Sequence, residues 1–148
     1  MALDADRRQP IRIEADRVEI DEQKGTSTYT GSVQVRQGTL RLEAERVVVH
    51  RGREALERIV ARGAPATFRQ QPEGADYLIR GQARQLRYNA AAATVELTGE
   101  AHIWQGRDEF SGARVVYELE RERVRAEGGA DDGRVRAVIH PRQEDGTE

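Results

Sequence analysis

Thr26-Ser27-Thr28-Tyr29-Thr30-Gly31-Ser32-Val33-Gln34-Val35-Arg36-Gln37-Gly38 returns 68 residues later as Thr94-Val95-Glu96-Leu97-Thr98-Gly99-Glu100-Ala101-His102-Ile103-Trp104-Gln105-Gly106, with Thr, Thr-Gly and Gln-Gly at the same places. Without gaps, residues 11–50 and 79–118 share eleven identities in forty pairs, so the chain reads as a duplicated unit. Within each copy, apolar or small residues alternate with polar ones, as in Ile11-Arg12-Ile13-Glu14-Ala15 and Ser32-Val33-Gln34-Val35. A period of two is the mark of strands with one dry face. Gly25, Gly38, Gly52, Gly63, Gly81, Gly99 and Gly106 punctuate the runs, and Pro10, Pro65, Pro72 and Pro141 are expected at run boundaries or at an edge. Many short antiparallel strands follow.

The alternation slips at the same place in both copies. Ile11, Ile13 and Ala15 give way to Val18 and Ile20, while Ile79 and Ala83 give way to Leu86 and Tyr88. Leu40, Leu42 and Ala44 switch to Val47 and Val49, as Phe110 and Gly112 switch to Val115 and Tyr117. One inserted residue per strand predicts β-bulges, which bend a strand and restore its inward direction. Residues 56–68 and 123–139 read as a closing strand pair for each unit, although 53–58 and 119–125 also suit short helical turns. One domain is expected over residues 10–141, with loose polar ends at 1–9 and 142–148. Such a stack leaves an open edge at either end, which invites pairing.

The composition narrows the function. With 148 residues the chain holds one modest domain, and no run approaches the roughly 20 apolar residues of a spanning helix. The 24 basic and 26 acidic residues are interspersed for a net charge of −2, which argues against nucleic acid as a partner. The absence of cysteine removes disulfides, thiol nucleophiles and cysteine metal sites. The first residues lack the basic and apolar regions of a signal peptide, as in a cytoplasmic protein or a mature secreted one. All but one of the basic residues are arginine, the exception being Lys24.

No catalytic pattern emerges. His50, His102 and His140 stand apart, without metal-ligand spacing, and do not recur in the other copy. Glu14, Asp16, Glu19, Asp21, Glu43 and Glu45 alternate with apolar residues and belong on solvated faces, and no aromatic platform accompanies a carboxylate pair. The distinctive set is the inward one: Ile11, Ile13, Val18, Ile20, Tyr29, Val33, Val35, Leu40, Leu42, Val47, Val49, Leu86, Tyr88, Leu97, Ile103, Phe110, Val115 and Tyr117, together with Val95. These residues either fill a closed core or line an apolar groove for acyl chains. Burial of a dodecyl-length chain at about 0.8 kcal/mol per methylene is worth about 10 kcal/mol before ordering costs. A carbohydrate-binding module would need a planar platform, and alternation points the sole tryptophan, Trp104, outward.

Gln9-Pro10-Ile11-Arg12-Ile13-Glu14-Ala15-Asp16, Tyr29-Thr30-Gly31-Ser32-Val33, Gln37-Gly38-Thr39, Ala44-Glu45-Arg46-Val47-Val48-Val49, Gly63-Ala64-Pro65-Ala66-Thr67-Phe68 and Leu97-Thr98-Gly99-Glu100-Ala101, in this order, resemble the LptA family of lipopolysaccharide-transport proteins of Gram-negative bacteria. The resemblance spans about residues 9–141. It implies an all-β fold, an open twisted antiparallel β-jelly roll, V-shaped in section, built from duplicated multi-strand units. It further implies a periplasmic, non-enzymatic carrier without cofactor or metal, holding the acyl chains of lipopolysaccharide (lipid A) inside. Such proteins stack head to tail between the accessory protein of an inner-membrane transporter and an outer-membrane translocon. Motif matching carries lipid contact or passage onto Ile11, Ile13, Ile20, Tyr88 and, at the rim, Arg51, in a short Arg51-Gly52-Arg53-Glu54 loop. The remaining inward residues are placed by alternation alone. The runner-up is a structural β-sandwich scaffold that polymerises through edge strands and binds no ligand.

Overall fold

Alternation extends over longer stretches than the turn residues suggest, and the strands are correspondingly long. The computed structural model describes residues 9–53, 55–72, 74–128 and 133–141. The predicted loose ends, apart from residue 9, lie outside the described residues. Ten strands form one antiparallel sheet: β1 (Arg12–Glu14), β2 (Arg17–Asp21), β3 (Thr26–Gln37), β4 (Leu40–Arg51), β5 (Leu56–Gln70), β6 (Ile79–Asn89), β7 (Thr94–Gln105), β8 (Asp108–Glu118), β9 (Arg123–Glu127) and β10 (Arg136–Val138). The order is β1-β3-β4-β5-β6-β7-β8-β10, with β2 also on β3 and β9 also on β8. No described residue is helical, and strands begin at Leu56 and Arg123 inside the segments 53–58 and 119–125 where helical turns were the alternative.

The expected many short strands are instead six long ones, each bent midway, flanked by short pairs. The register shifts at Thr30/Val33, Glu43/Arg46, Arg62/Ala66, Gln82/Gln85 and Thr98/Ala101. These shifts line up across the sheet as a single bend line. In both copies the bulge uses two consecutive left-handed residues, Gly31-Ser32 (φ 90° and 44°) and Gly99-Glu100 (φ 88° and 51°). That conformation is cheap for glycine and costly for other residues, which accounts for the repeated Thr-Gly. The slip near Ala15 is a break between β1 and β2, whereas at Ala83 the strand continues through its shift.

Two walls diverge from the bend line. Wall A holds β1, β10 and residues 33–37, 40–44, 66–70, 79–83, 101–105 and 108–112. Wall B holds β2, β9 and residues 26–30, 46–51, 56–62, 85–89, 94–98 and 114–118. Residues 56–70 are one bent strand between the two copies, pairing with β4 and β6, and not the closing pair expected for the first unit. Pro65 sits inside this central strand, against the expectation of a boundary, because residues 63–65 fall in a register shift where no ladder N–H is required.

Ladder pairing turns alternation into rows that run across the strands. On wall A the inward row is Ile13, Val35, Leu42, Phe68, Gly81, Ile103, Phe110 and Ala137. On wall B one row runs Val18, Tyr29, Val47, Ala61, Leu86, Leu97, Val115 and Ala126, and a second runs Ile20, Ser27, Val49, Ile59, Tyr88, Val95, Tyr117 and Val124. The rows meet in one apolar cluster between the walls. Gly81 is the gap in its row, because a Cβ there would strike the Phe68 ring and the Leu97 side chain.

Candidate functional site

Every strand contributes inward side chains to the space between the walls. Ile11, Val35, Leu40 and Phe68 of wall A face Ile59, Leu86, Tyr88 and Val95 of wall B across a narrow cleft. Its free volume is about 20 Å³, room for about a single water molecule. Between the bend line and the hairpins the interior is packed. Tyr77, from the loop between β5 and β6, packs against this core. Burial pushes the Tyr117 phenol well above its ordinary value, with smaller contributions from Glu122 and Tyr77. Gln70 Oε1 is buried in the same region without a hydrogen-bond partner.

Of the predicted inward residues, Val33, Val35, Leu42, Val47, Val49, Leu86, Tyr88, Leu97, Ile103, Val115 and Tyr117 are buried, and Ile11, Ile13, Tyr29, Leu40 and Phe110 pack partly against them. Val18 and Ile20 depart from the expected burial. They share the inward rows by register, yet are 51% and 57% exposed, because β2 is an edge with no neighbour beyond it. Val138 and Ile139 are exposed at the opposite edge. Ile59, Ala61, Ala66, Phe68 and Ile79 are buried lining that the sequence reading did not single out. The first four belong to β5, which lies outside the duplicated segments and has no copy to set its phase. Arg51 closes β4 at the rim of wall B, where its backbone N–H donates to Gly25 O at 2.9 Å and its side chain lies 3.6 Å from Glu22.

The polar residues form no reactive set. Among the described residues no group of three metal-ligating side chains converges. His102 Nε2 lies 2.8 Å from Glu109 Oε2, which also accepts from Trp104 Nε1 at 3.0 Å. His50 is held below its ordinary pKa by burial and then by Arg58, against the opposing pull of Glu57. On the outer face of β7–β9, Arg114 bridges Glu96 and Glu127, and Glu118 gathers Arg121, Arg123 and Arg125. These ion pairs sit at the surface and tie neighbouring strands.

A sheet folded along a line of bulges, with a continuous aliphatic inner surface and two uncovered edges, defines an open antiparallel β-jelly roll. The family model described as "LptA/(LptD N-terminal domain) LPS transport protein" matches residues 12–123, and the chain belongs to that family. It is 37% identical over 145 residues to the lipopolysaccharide export system protein LptA of Escherichia coli strain K12, a match covering 96% of this chain and 77% of that protein. It is 31% identical over 127 residues to LptH of Pseudomonas aeruginosa, covering 85% of this chain and 73% of the relative. The crystal structure of LptH, described as the LptA-homologous periplasmic component of the lipopolysaccharide transport device, superposes with a TM-score of 0.86 at 29% identity, over 92% of this chain and 99% of that one.

Proposed function

We propose that this chain is a non-enzymatic periplasmic carrier that takes the acyl chains of lipopolysaccharide between its walls and stacks head to tail to bridge the inner and outer membranes. The observation that carries the reading is the set of inner rows. They run across every strand from β1 and β2 to β8, β9 and β10, and on wall B they end in the exposed Val18 and Ile20 at β2 and the half-covered Val124 and Ala126 at β9. A second copy continues these rows if its β2 edge meets the β9 edge of the first. The outward residues there are Arg17, Glu19 and Asp21 on one side and Arg123, Arg125 and Glu127 on the other; with the two strands antiparallel, Arg17 faces Glu127, Glu19 faces Arg125 and Asp21 faces Arg123, which supports that polarity. The partners at the ends of such a stack are the accessory protein of the inner-membrane transporter and the outer-membrane translocon. No cofactor enters this scheme.

The cleft is too small for an acyl chain as it stands, so loading requires the walls to part at the hairpins while the bend line holds. That same tightness is the observation favouring a closed scaffold without ligand. The two readings separate at Ile13, a partly covered inner residue on the short edge strand β1. The carrier reading expects Ile13→Asp to fold as the wild type, judged by circular dichroism and melting, and to lose about tenfold or more in lipopolysaccharide binding, since a charge there must be desolvated against the acyl chain. A folded Ile13→Asp protein with wild-type binding favours the scaffold.

A further inference from the structure

Alternation has a consequence on the outside of wall A. Arg12, Arg36, Arg41, Arg69 and Arg80 stand directly opposite one another on β1, β3, β4, β5 and β6, and Trp104 continues the row on β7. At about 4.8 Å per strand, five arginines span roughly 19 Å. Like charges set directly opposite in a ladder destabilise it, and little among the described residues offsets them. Arg36 has an exposed ion pair with Glu14 at 3.5 Å, and Arg41 donates to the carbonyl of Gly38 at 2.8 Å. The Arg80 guanidinium lies 5.1 Å from the Trp104 ring centre. Arg12, Arg69 and Arg80 form no ion pair with any described residue. Glu109, the carboxylate at the end of the row, is already engaged by Trp104 and His102. Arg41, Arg69, Arg80 and Trp104 line a concavity of about 380 Å³, to which Glu43 and Thr67 also contribute.

The row's position selects its ligand. It lies one residue from the closing pairs Gln37↔Leu40 and Gln70↔Ile79, hence at the mouth, and it runs parallel to the inner rows. The directly opposed Arg46 and Arg62 on the outside of wall B sit instead beside the bend line, far from the mouth. An amphiphile with its tails between the walls puts its headgroup out over the mouth. Guanidinium groups bind phosphate in a bidentate fork. Trp104 is not a free platform for sugar stacking, because His102 stacks on it at 4.7 Å and 14° and Arg80 lies over its ring.

We infer that the outer arginine row is a rail for the phosphate groups of the lipopolysaccharide headgroup, so that headgroup and acyl chains advance on the two sides of one rim. The inference rests on the carrier reading above. Its test is equilibrium binding of lipopolysaccharide and of its dephosphorylated form to the full chain, at about 0.02 M and 0.2 M salt, where screening differs about threefold in length. The variants are Arg69→Gln/Arg80→Gln, the equal-charge control Arg46→Gln/Arg62→Gln, and Ile13→Asp. All the substituted arginines are exposed, and equal melting temperatures check that the fold is kept. The rail variant should lose about five- to tenfold in affinity for phosphorylated lipopolysaccharide at low salt, along with most of the salt dependence. It should bind the dephosphorylated form as the wild type does, and the control should stay within about twofold throughout. The rail is overturned if its variant binds the phosphorylated ligand like the wild type, if the control loses as much, or if the dephosphorylated ligand is weakened equally. It is also overturned if inorganic pyrophosphate binds the wild-type row while lipopolysaccharide affinity ignores it, which would make the occupant a soluble polyanion. Failure of the groove shows separately, as Ile13→Asp binding both ligands like the wild type.

Discussion

Tyr117 shows what a single inward position does to the energetics. It is 1% exposed, between Val95 and Val124 in an inner row, so ionising its phenol would place a charge among aliphatic side chains. Its folded pKa is raised, with desolvation the largest cause, while the unfolded chain titrates near the ordinary value of about 10. Below about pH 10 both states hold the proton and the full stability is present. Above it the unfolded state releases the proton first, so stability falls as pH rises toward the folded value. Denaturant unfolding followed from about pH 8 to 11 should show this loss, and Tyr117→Phe should make it shallower while changing stability near pH 8 little. An unchanged alkaline slope in Tyr117→Phe would mean that the phenol is not desolvated as described. Gly81 makes the complementary point, since the Phe68 ring occupies the volume that any side chain at 81 would need.

At the scale of the element, the phase slips in the sequence proved to be the main architectural device. Leu40-Leu42-Ala44 switches to Val47-Val49 at the bend line, but the extra residues lie in the neighbouring strands: residues 31–32 of β3 stand against 45 alone, and 63–66 of β5 against 44–45. The left-handed bulges lie at the duplicated Thr-Gly, which in the sequence stands out only as part of the repeat, because a residue tolerant of positive φ starts them cheaply. Strand β5 was harder to read. Ile59-Val60-Ala61 shows no clean alternation, since Val60 is half-covered on the outer face, and Pro65 looks like a terminator unless a bulge is already known to be there. Which inward residues are covered was not legible either. Val18 and Ile20 have the same pattern as Val47 and Val49, and differ only in being the last strand of the row. The uncovered edge carries its own prediction. Ile20→Lys should leave the melting temperature within a few degrees, because little is buried there, and should reduce concentration-dependent self-association measured by light scattering. Undiminished association with the fold intact would remove β2 from the stacking surface.

Over the whole molecule, two walls joined by a line of bulges can separate at their hairpins without breaking a ladder. Such a body can be closed when empty and still admit a chain between its walls. The near absence of free space between Leu40 and Phe68 on one side and Tyr88 and Val95 on the other describes the closed form. The sequence supplied the walls, their inner faces and the family resemblance that the 37% identity to Escherichia coli LptA bears out. It could not supply the closed state, which depends on how the two walls meet. On the proposed function, acyl chains lie between the walls. The most direct test places a photo-reactive residue in turn at Ile13, Tyr88 and Phe110, facing inward, and at Gln85 and Arg87 on the outer face of wall B, in chains exposed to lipopolysaccharide. Lipid adducts are expected at the three inward positions and none at the two outer ones. Equal labelling on both faces, or none at the inward positions of a folded protein, would contradict the proposed function.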